Sequence, residues 1–190
     1  MITLIIVDCQ NDFITGSMAV NKSRDVVDEI KKYIKKNKDD IEKVIFTLDW
    51  HPWNHMSFKR YGGQWPSHCV QFTPGACIEP KLLKLVQSLE LNYECVLKGQ
   101  IEEVEEYGAF SEISYESDQF GARFYLDIAE VNADTNIVIC GIAGDYCVKE
   151  TISNLLKGEI SPDVFMKGIA SIDDGSIIKK FVKENKLKVV

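Results

Sequence analysis

Residues 137–151 read IVICGIAGDYCVKET. An unbroken apolar run, Ile137 to Cys140, meets Gly141 and Gly144, and a stretch with Val148, Ile152, Leu155 and Leu156 on one helical face follows at once. An apolar run bounded by glycine reads as a strand buried on both faces, and a strand that passes directly into a helix is one step of a parallel crossover sheet. Cys147 stands three residues past the second glycine, at the mouth of the new helix, with Asp145 as the expected N-cap. There, unpaired backbone N–H groups and the helix dipole favour a thiolate over a thiol.

The same alternation extends in both directions. Strands are predicted over 3–8 (TLIIVD), 43–49 (KVIFTLD), 93–98 (YECVLK), 136–141 (NIVICG), 163–168 (DVFMKG) and 187–190 (LKVV). Helices are predicted over 23–37, 80–89, 118–131, 146–158 and 175–186, the third interrupted by Gly121. The first of them places Val26, Val27, Ile30 and Ile34 on one face, with Ser23 as its expected N-cap. Apolar strands alternating with amphipathic helices give a doubly wound α/β fold, a mostly parallel six-stranded sheet with helices on both faces. The expectation is a single domain over residues 1–190, with no repeat or linker.

Composition restricts the function. A net charge of −7 argues against nucleic acid as a partner, since phosphate binding needs a concentrated basic surface. The lysine-rich KKYIKKNK reads as the solvated face of one helix. No apolar run approaches a membrane span, so no membrane partner is expected, and MITLIIVDCQNDF reads as a buried strand rather than an export signal. The cysteines at 9, 69, 77, 95, 140 and 147 form no compact framework, so a reducing cytoplasm is expected. Cys95 and Cys140 fall inside apolar runs and read as core residues, which sets Cys147 apart.

In such a fold, ligands sit outside the carboxyl ends of the strands. The first three strands end in Asp8, Asp49 and Lys98, and the fourth leads to Cys147. One polar residue after a strand is ordinarily a cap or turn residue; four with these chemistries on one edge suggest a site. Lys98 would lower the Cys147 thiol, and Asp8 could take and return a proton. The second cluster is TLDWHPWNHMSF (47–58) followed by GGQWPSHC (62–69), where His51, His55 and His68 fall within eighteen residues. On an extended backbone Asp49 and His51 share a face, with Trp50 pointing away. One carboxylate and two imidazoles suit a catalytic metal with open positions. A polar loop with hydrogen-bonded histidines is the bland alternative, and Cys69 and Cys77 keep a closed structural zinc site open.

The motifs VDCQNDF, TLDWHPWNHMSF, WPSHCVQFTPGA, LKGQ and CGIAGDYCVKET resemble, in order and spacing, those of the nicotinamidase/pyrazinamidase family of isochorismatase-like cysteine hydrolases, over about residues 1–170. The resemblance implies a catalytic triad of Asp8, Lys98 and Cys147. It implies metal ligands Asp49, His51 and His68, with His55 a ligand in only some relatives. It further implies a cis peptide between Ile142 and Ala143, an oxyanion hole formed by the N–H groups of Ala143 and Cys147, and Phe13, Trp65 and Tyr107 flanking a flat ring; Ile142 and Tyr146, the latter beside the nucleophile, are further candidates for substrate contact. The implied cofactor is one divalent metal ion, zinc before iron or manganese. The implied partner is a small amide, nicotinamide and also pyrazinamide, with a homo-oligomer possible. Two departures stand next to the site: Gly144 where many relatives carry threonine, and Gly108 where serine is common. Two other functions stay open. One is a different amide, such as an N-carbamoyl or ureido compound, which gives the Asp-His-His cluster no evident role. The other is a catalytically inactive metal- or ligand-binding relative, for which the two glycines are the only hint.

Overall fold

The computed structural model describes residues 1–111 and 136–190; the helix expected over 118–131 lies outside the described residues. Five strands form one sheet: β1 (Ile2–Val7), β2 (Ile41–Asp49), β3 (Tyr93–Lys98), β4 (Asn136–Ile142) and β5 (Asp163–Ala170). Their spatial order is β3-β2-β1-β4-β5, and every pairing is parallel. Between the strands lie α1 (Asn11–Ile14), α2 (Ser23–Asn37), α3 (Pro80–Ser88) and α4 (Lys149–Lys157), and α5 (Ser176–Glu184) follows β5.

The period-two alternation of β1 explains how the sheet is covered. Leu4 and Ile6 join the core built with α2 and α3, whereas Ile5 and Val7 join the core built with α4 and α5. On the first side α2 buries Val26, Val27, Ile30 and Ile34, each contributing about 1.5–3 kcal/mol of transfer free energy. On the other side α4 buries Ile152 and Leu155, and α5 buries Ile178 and Val182.

Several details differ from the expectation. The sixth strand is reduced to an isolated bridge between Val164 and Val189, because the last residues run along an edge with Val189 and Val190 exposed. Cys95 is exposed rather than in the core, since β3 is itself an edge strand and its Tyr93 and Cys95 stay uncovered. Ser23 is not the N-cap of α2. Lys22 takes that position in a left-handed conformation, and the Ser23 hydroxyl donates to the Ile14 carbonyl at 3.3 Å. Among the described residues, no helix is long and apolar enough to cross a membrane.

The strand order places the site. Chain progression from β1 runs outward through β2 to β3, then returns to the other side of β1 for β4 and β5. The reversal falls between β1 and β4, and a doubly wound sheet opens its ligand crevice at the carboxyl ends of such a pair. Asp8 follows β1 there, and Cys147 follows β4.

Candidate active site

β1 stops at Val7, one residue earlier than expected, and Asp8 turns out of the strand with φ 47°. Its backbone N–H donates to the Thr47 carbonyl at 3.0 Å, and its Oδ1 accepts the Thr47 hydroxyl at 2.7 Å, so β2 fixes the carboxylate from both ends. Asp8 Oδ2 faces Lys98 Nζ at 2.8 Å and receives no well-directed hydrogen bond. The ends of β2 and β3 are register partners, Asp49 beside Lys98, and the ammonium also donates to Asp49 Oδ1. Cys147 Sγ lies 3.7 Å from the same Nζ. One buried ammonium therefore touches two carboxylates and the thiol.

Cys147 sits in a single π turn, Gly144–Val148, that leads into α4 and follows a cis peptide between Ile142 and Ala143. Asp145 does not cap this turn. Its carboxylate accepts the N–H groups of Ile172 and Asp173, at 2.9 and 3.0 Å, and pins the turn to the loop after β5. The electrostatics also depart from expectation. Burial pushes the Cys147 thiol well up, Lys98 opposes, and Asp8 and Asp49 add to the rise, a balance that disfavours the thiolate. Burial likewise raises the Asp8 carboxyl, against the pull of Lys98. Asp49 goes the other way: burial would raise it, but Lys98 and then His51 outweigh that and hold it well below the usual carboxylate range.

Asp49 and His51 share a face as their spacing predicts, while Trp50 turns away to meet Phe72 edge-on at 5.5 Å. A bridge between His51 and Val70 runs the segment 69–71 alongside, which delivers His68 to the same place. His51 Nδ1 lies 2.9 Å from the Gly99 carbonyl, and His68 Nδ1 lies 2.8 Å from the Pro66 carbonyl. Carbonyls only accept, so both Nδ1 atoms carry a proton, and the Nε2 atoms are the ones that face Asp49. Those Nε2 atoms lie 3.6 and 3.7 Å from Asp49 Oδ2, and the three ligand atoms fall within 4.8 Å of one another. A carboxylate with two imidazoles, each oriented through its second nitrogen, fits a divalent metal ion.

His55 is outside this group. Its Nδ1 meets the Ser57 hydroxyl at 2.7 Å and its Nε2 meets the Val104 carbonyl at 3.0 Å, so neither nitrogen is spare. The ring stacks on His51 at 4.2 Å, and burial with the neighbouring His51 lowers it to about 4. Cys69 is buried and Cys77 exposed, and neither joins the histidines in a ligand group, which leaves the closed zinc reading without its thiolates.

A cleft of about 340 Å³, counting its open mouth, lies over both clusters. Phe13, Trp65, Tyr107 and Tyr146 line it, together with Cys147 and Ala143. Trp65 and Tyr107 both pack on Tyr146, at 5.1 and 5.4 Å, and the Tyr107 hydroxyl accepts from Trp65 Nε1 at 3.1 Å. Ile142 does not line the cleft, because its side chain is fully buried on the α2 side of the sheet. Sequence reading missed Met18, Glu105 and Ile172, which complete the wall from loops without periodic signal. It also missed a role for Gln10, whose amide accepts the Asp49 N–H at 2.8 Å and donates to the Asp49 carbonyl at 2.7 Å. Gln10 stands in VDCQNDF, two residues after Asp8, and a buried amide so close to a site acid was the available signal.

The two unusual glycines mark close packing. A Cβ at Gly144 would stand 2.4 Å from Ser171 Oγ and 2.7 Å from Ile169 Cγ2, and one at Gly108 would stand 2.7 Å from the Glu150 backbone. Both contacts lie behind the site rather than in the cleft.

Residues 3–92 match the Isochorismatase domain family. A nicotinamidase of Acinetobacter baylyi is 32% identical over 92% of this chain and 84% of its own length. The solved pyrazinamidase of Pyrococcus horikoshii in complex with zinc superposes with a TM-score of 0.76 at 28% identity, covering 100% of this chain and 98% of that one. The yeast nicotinamidase bound to the inhibitor nicotinaldehyde superposes with a TM-score of 0.81 at 26% identity, covering 100% and 99%.

Proposed function

Since this chain belongs to the nicotinamidase family of isochorismatase-like hydrolases, we propose that residues 1–190 act as one hydrolase domain that converts nicotinamide, and pyrazinamide with it, to the acid and ammonia. The observation that carries this reading is the convergence of Asp8, Lys98 and Cys147 beside the Asp49, His51 and His68 group under one aromatic-walled cleft.

Asp8 takes the thiol proton through Oδ2, and Cys147 Sγ attacks the amide carbon. The N–H groups of Ala143 and Cys147 receive the developing oxyanion, a contribution of about 3 kcal/mol per donor. Asp8 then returns the proton to the departing nitrogen, which leaves as ammonia and a thioester on Cys147. Asp8 takes a proton from water as it adds to that thioester and passes it to the departing sulfur, so the thiol and the carboxylic acid result, the acid then losing its proton to solvent. Lys98 holds both carboxylates and the sulfur in one geometry throughout. Phe13, Trp65, Tyr107 and Tyr146 enclose the ring and exclude water from it.

Asp49, His51 and His68 would hold a divalent ion, which we take to be zinc because two neutral imidazoles and a carboxylate are a usual donor set for catalytic zinc. When bound, such an ion supplies a Lewis-acid position for the pyridine nitrogen. Six cysteines without a disulfide support a reducing, cytoplasmic setting. The test is ammonia release from nicotinamide by the purified protein and by Cys147→Ala. The parent should release it and the variant should not, with the fold and metal content of the variant unchanged. A variant that keeps a tenth of the parent rate would overturn the nucleophile.

A further inference from the structure

Glu106 is buried at 6% exposure, yet among the described residues no lysine or arginine pairs with it. Its partners are instead the Gly99 N–H, which donates to Oε2 at 2.9 Å, and the Ser111 hydroxyl, which donates to Oε1 at 2.6 Å. A carboxylate in this position needs a reason, because burying a charge is costly.

Gly99 supplies one. It takes φ +65°, a conformation other residues adopt reluctantly, and a Cβ there would stand 2.4 Å from His51 Cε1. Its carbonyl is the acceptor of His51 Nδ1. Residue 99 is thus held at its N–H by Glu106 and holds the imidazole at its C=O. If the N–H were released, the Lys98–Gly99 peptide would keep only the bond from the Trp50 N–H to the Lys98 carbonyl, and a glycine with so many accessible conformations would hold its own carbonyl on the ring less firmly. His51 would then be free to carry its proton on Nε2, the nitrogen that must be bare to bind a metal.

We propose that Glu106 is a positioning residue that fixes the tautomer and orientation of His51 through Gly99, and so sets the affinity of the Asp49, His51 and His68 group for a divalent ion. This rests on the metal reading above and adds to it the residue that keeps the ligand in its binding form. Glu106 acts by reach rather than by charge, since the Gly99 N–H needs an acceptor at the right distance and an amide oxygen also accepts.

Two conservative variants separate these properties. Glu106→Gln keeps reach and loses charge. Glu106→Asp keeps charge and loses a methylene of reach. Chelator-treated protein is titrated with zinc against a chromophoric competitor. Glu106→Asp should bind zinc 10–100-fold more weakly than the parent, and Glu106→Gln within about threefold of it, the range expected for a partner of a metal-bound histidine. With zinc saturating, kcat should stay within about threefold in both; at limiting zinc, Glu106→Asp should lose activity in step with its occupancy. A role in stability alone would lower the melting temperature and leave the zinc affinity of the folded protein unchanged. Parent-like zinc affinity in Glu106→Asp, or an equal loss in both variants, would overturn the proposal. A measurement without metal separates its failure from that of the metal reading: ¹⁵N chemical shifts of His51 in the chelator-treated protein. These should report Nδ1–H in the parent and in Glu106→Gln, and a mixture in Glu106→Asp. If the parent binds no zinc while this tautomer change appears, the metal reading falls and the positioning stands. An unchanged His51 in Glu106→Asp would end the proposal whatever the metal does.

Discussion

Lys98→Met tests the electrostatic core of the site, because methionine nearly matches the lysine stem and removes only the ammonium. In the folded protein that group is 1% exposed and lies 2.8 Å from Asp8 Oδ2, with Asp49 Oδ1 as its second partner. At an effective dielectric of about 20, a unit pair at that distance attracts by about 6 kcal/mol, and the desolvation of the ammonium offsets several kcal/mol of it. Removing one partner of a buried ion pair accordingly costs about 3–5 kcal/mol. With a urea dependence of about 2.5 kcal/mol per molar, the unfolding midpoint should fall by about 1–2 M near pH 7. The sign of the pH dependence follows from Asp8. Burial already raises its folded-state carboxyl, and without Lys98 it rises further. A raised folded value contributes stability that is present below the unfolded value of about 4 and is lost as pH rises through the folded value. The deficit of Lys98→Met should therefore shrink as the pH is lowered from about 8 to about 5, and Lys98→Met/Asp8→Asn should recover much of it at neutral pH. Urea unfolding of chelator-treated proteins at several pH values measures all of this. A midpoint equal to the parent's at pH 7, or a deficit that grows on acidification, would refute the view of Lys98 as the cation that makes two buried carboxylates tolerable.

Nicotinaldehyde should inhibit this chain reversibly well below the half-saturating nicotinamide concentration, because sulfur addition gives a thiohemiacetal with no amine to expel. Benzaldehyde, lacking the ring nitrogen, should bind far more weakly, and equal inhibition by the two would remove the ring nitrogen from the recognition scheme. Cys140→Ala, at a fully buried position, should cost about 1–3 kcal/mol in urea unfolding, whereas Cys95→Ala on the exposed edge should stay within about 0.5 kcal/mol. Gly144→Thr should lose about 1–3 kcal/mol through overpacking, and Ser171→Gly in the same chain should recover part of it, since Ser171 Oγ lies nearest the added Cβ. A fully stable Gly144→Thr would mean that the turn shifts freely.

What was legible in the sequence followed from short-range rules with one answer. Apolar runs of β1, β2 and β4 bounded by turn residues read as buried strands, and a parallel sheet then brings Asp8, Asp49 and the residues before Cys147 to one edge. What was not legible depended on which strands become neighbours. Cys95 sits in an apolar run, but its exposure follows from β3 lying at the edge, which is a property of strand order. Asp145 has a good capping position by spacing, but the N–H groups of Ile172 and Asp173, 27 and 28 residues away, claim its carboxylate instead. His55 is two residues from Ser57, whose hydroxyl takes one ring nitrogen, while the Val104 carbonyl from another segment takes the other. Local spacing brought it near the metal group, and long-range hydrogen bonds decided its role.

The raised thiol of Cys147 looks at first like an obstacle to the proposed mechanism, since burial withholds the nucleophilic form. The relevant quantity is the difference between Cys147 and Asp8, because the proton passes from one to the other without leaving the cleft. Burial raises both groups, so its two effects oppose each other in that difference. The net charge of the cluster also stays constant through the transfer, with one negative charge moving from carboxylate to sulfur around a fixed ammonium. That ammonium lies 2.8 Å from the Asp8 oxygen and 3.7 Å from the sulfur, which at an effective dielectric of about 20 corresponds to attractions of about 6 and about 4.5 kcal/mol. Lys98 therefore favours the charge on Asp8 by only about 1.5 kcal/mol, roughly tenfold, and it stabilises the thiolate almost as well as the carboxylate it replaces. A lysine placed against the thiol alone would give a standing thiolate exposed to oxidation; one placed against Asp8 alone would lock the base in its charged form. Shared between them, it leaves the ordinary gap between a thiol and a carboxyl nearly unchanged, and a substrate carbonyl that takes the sulfur's charge supplies the rest.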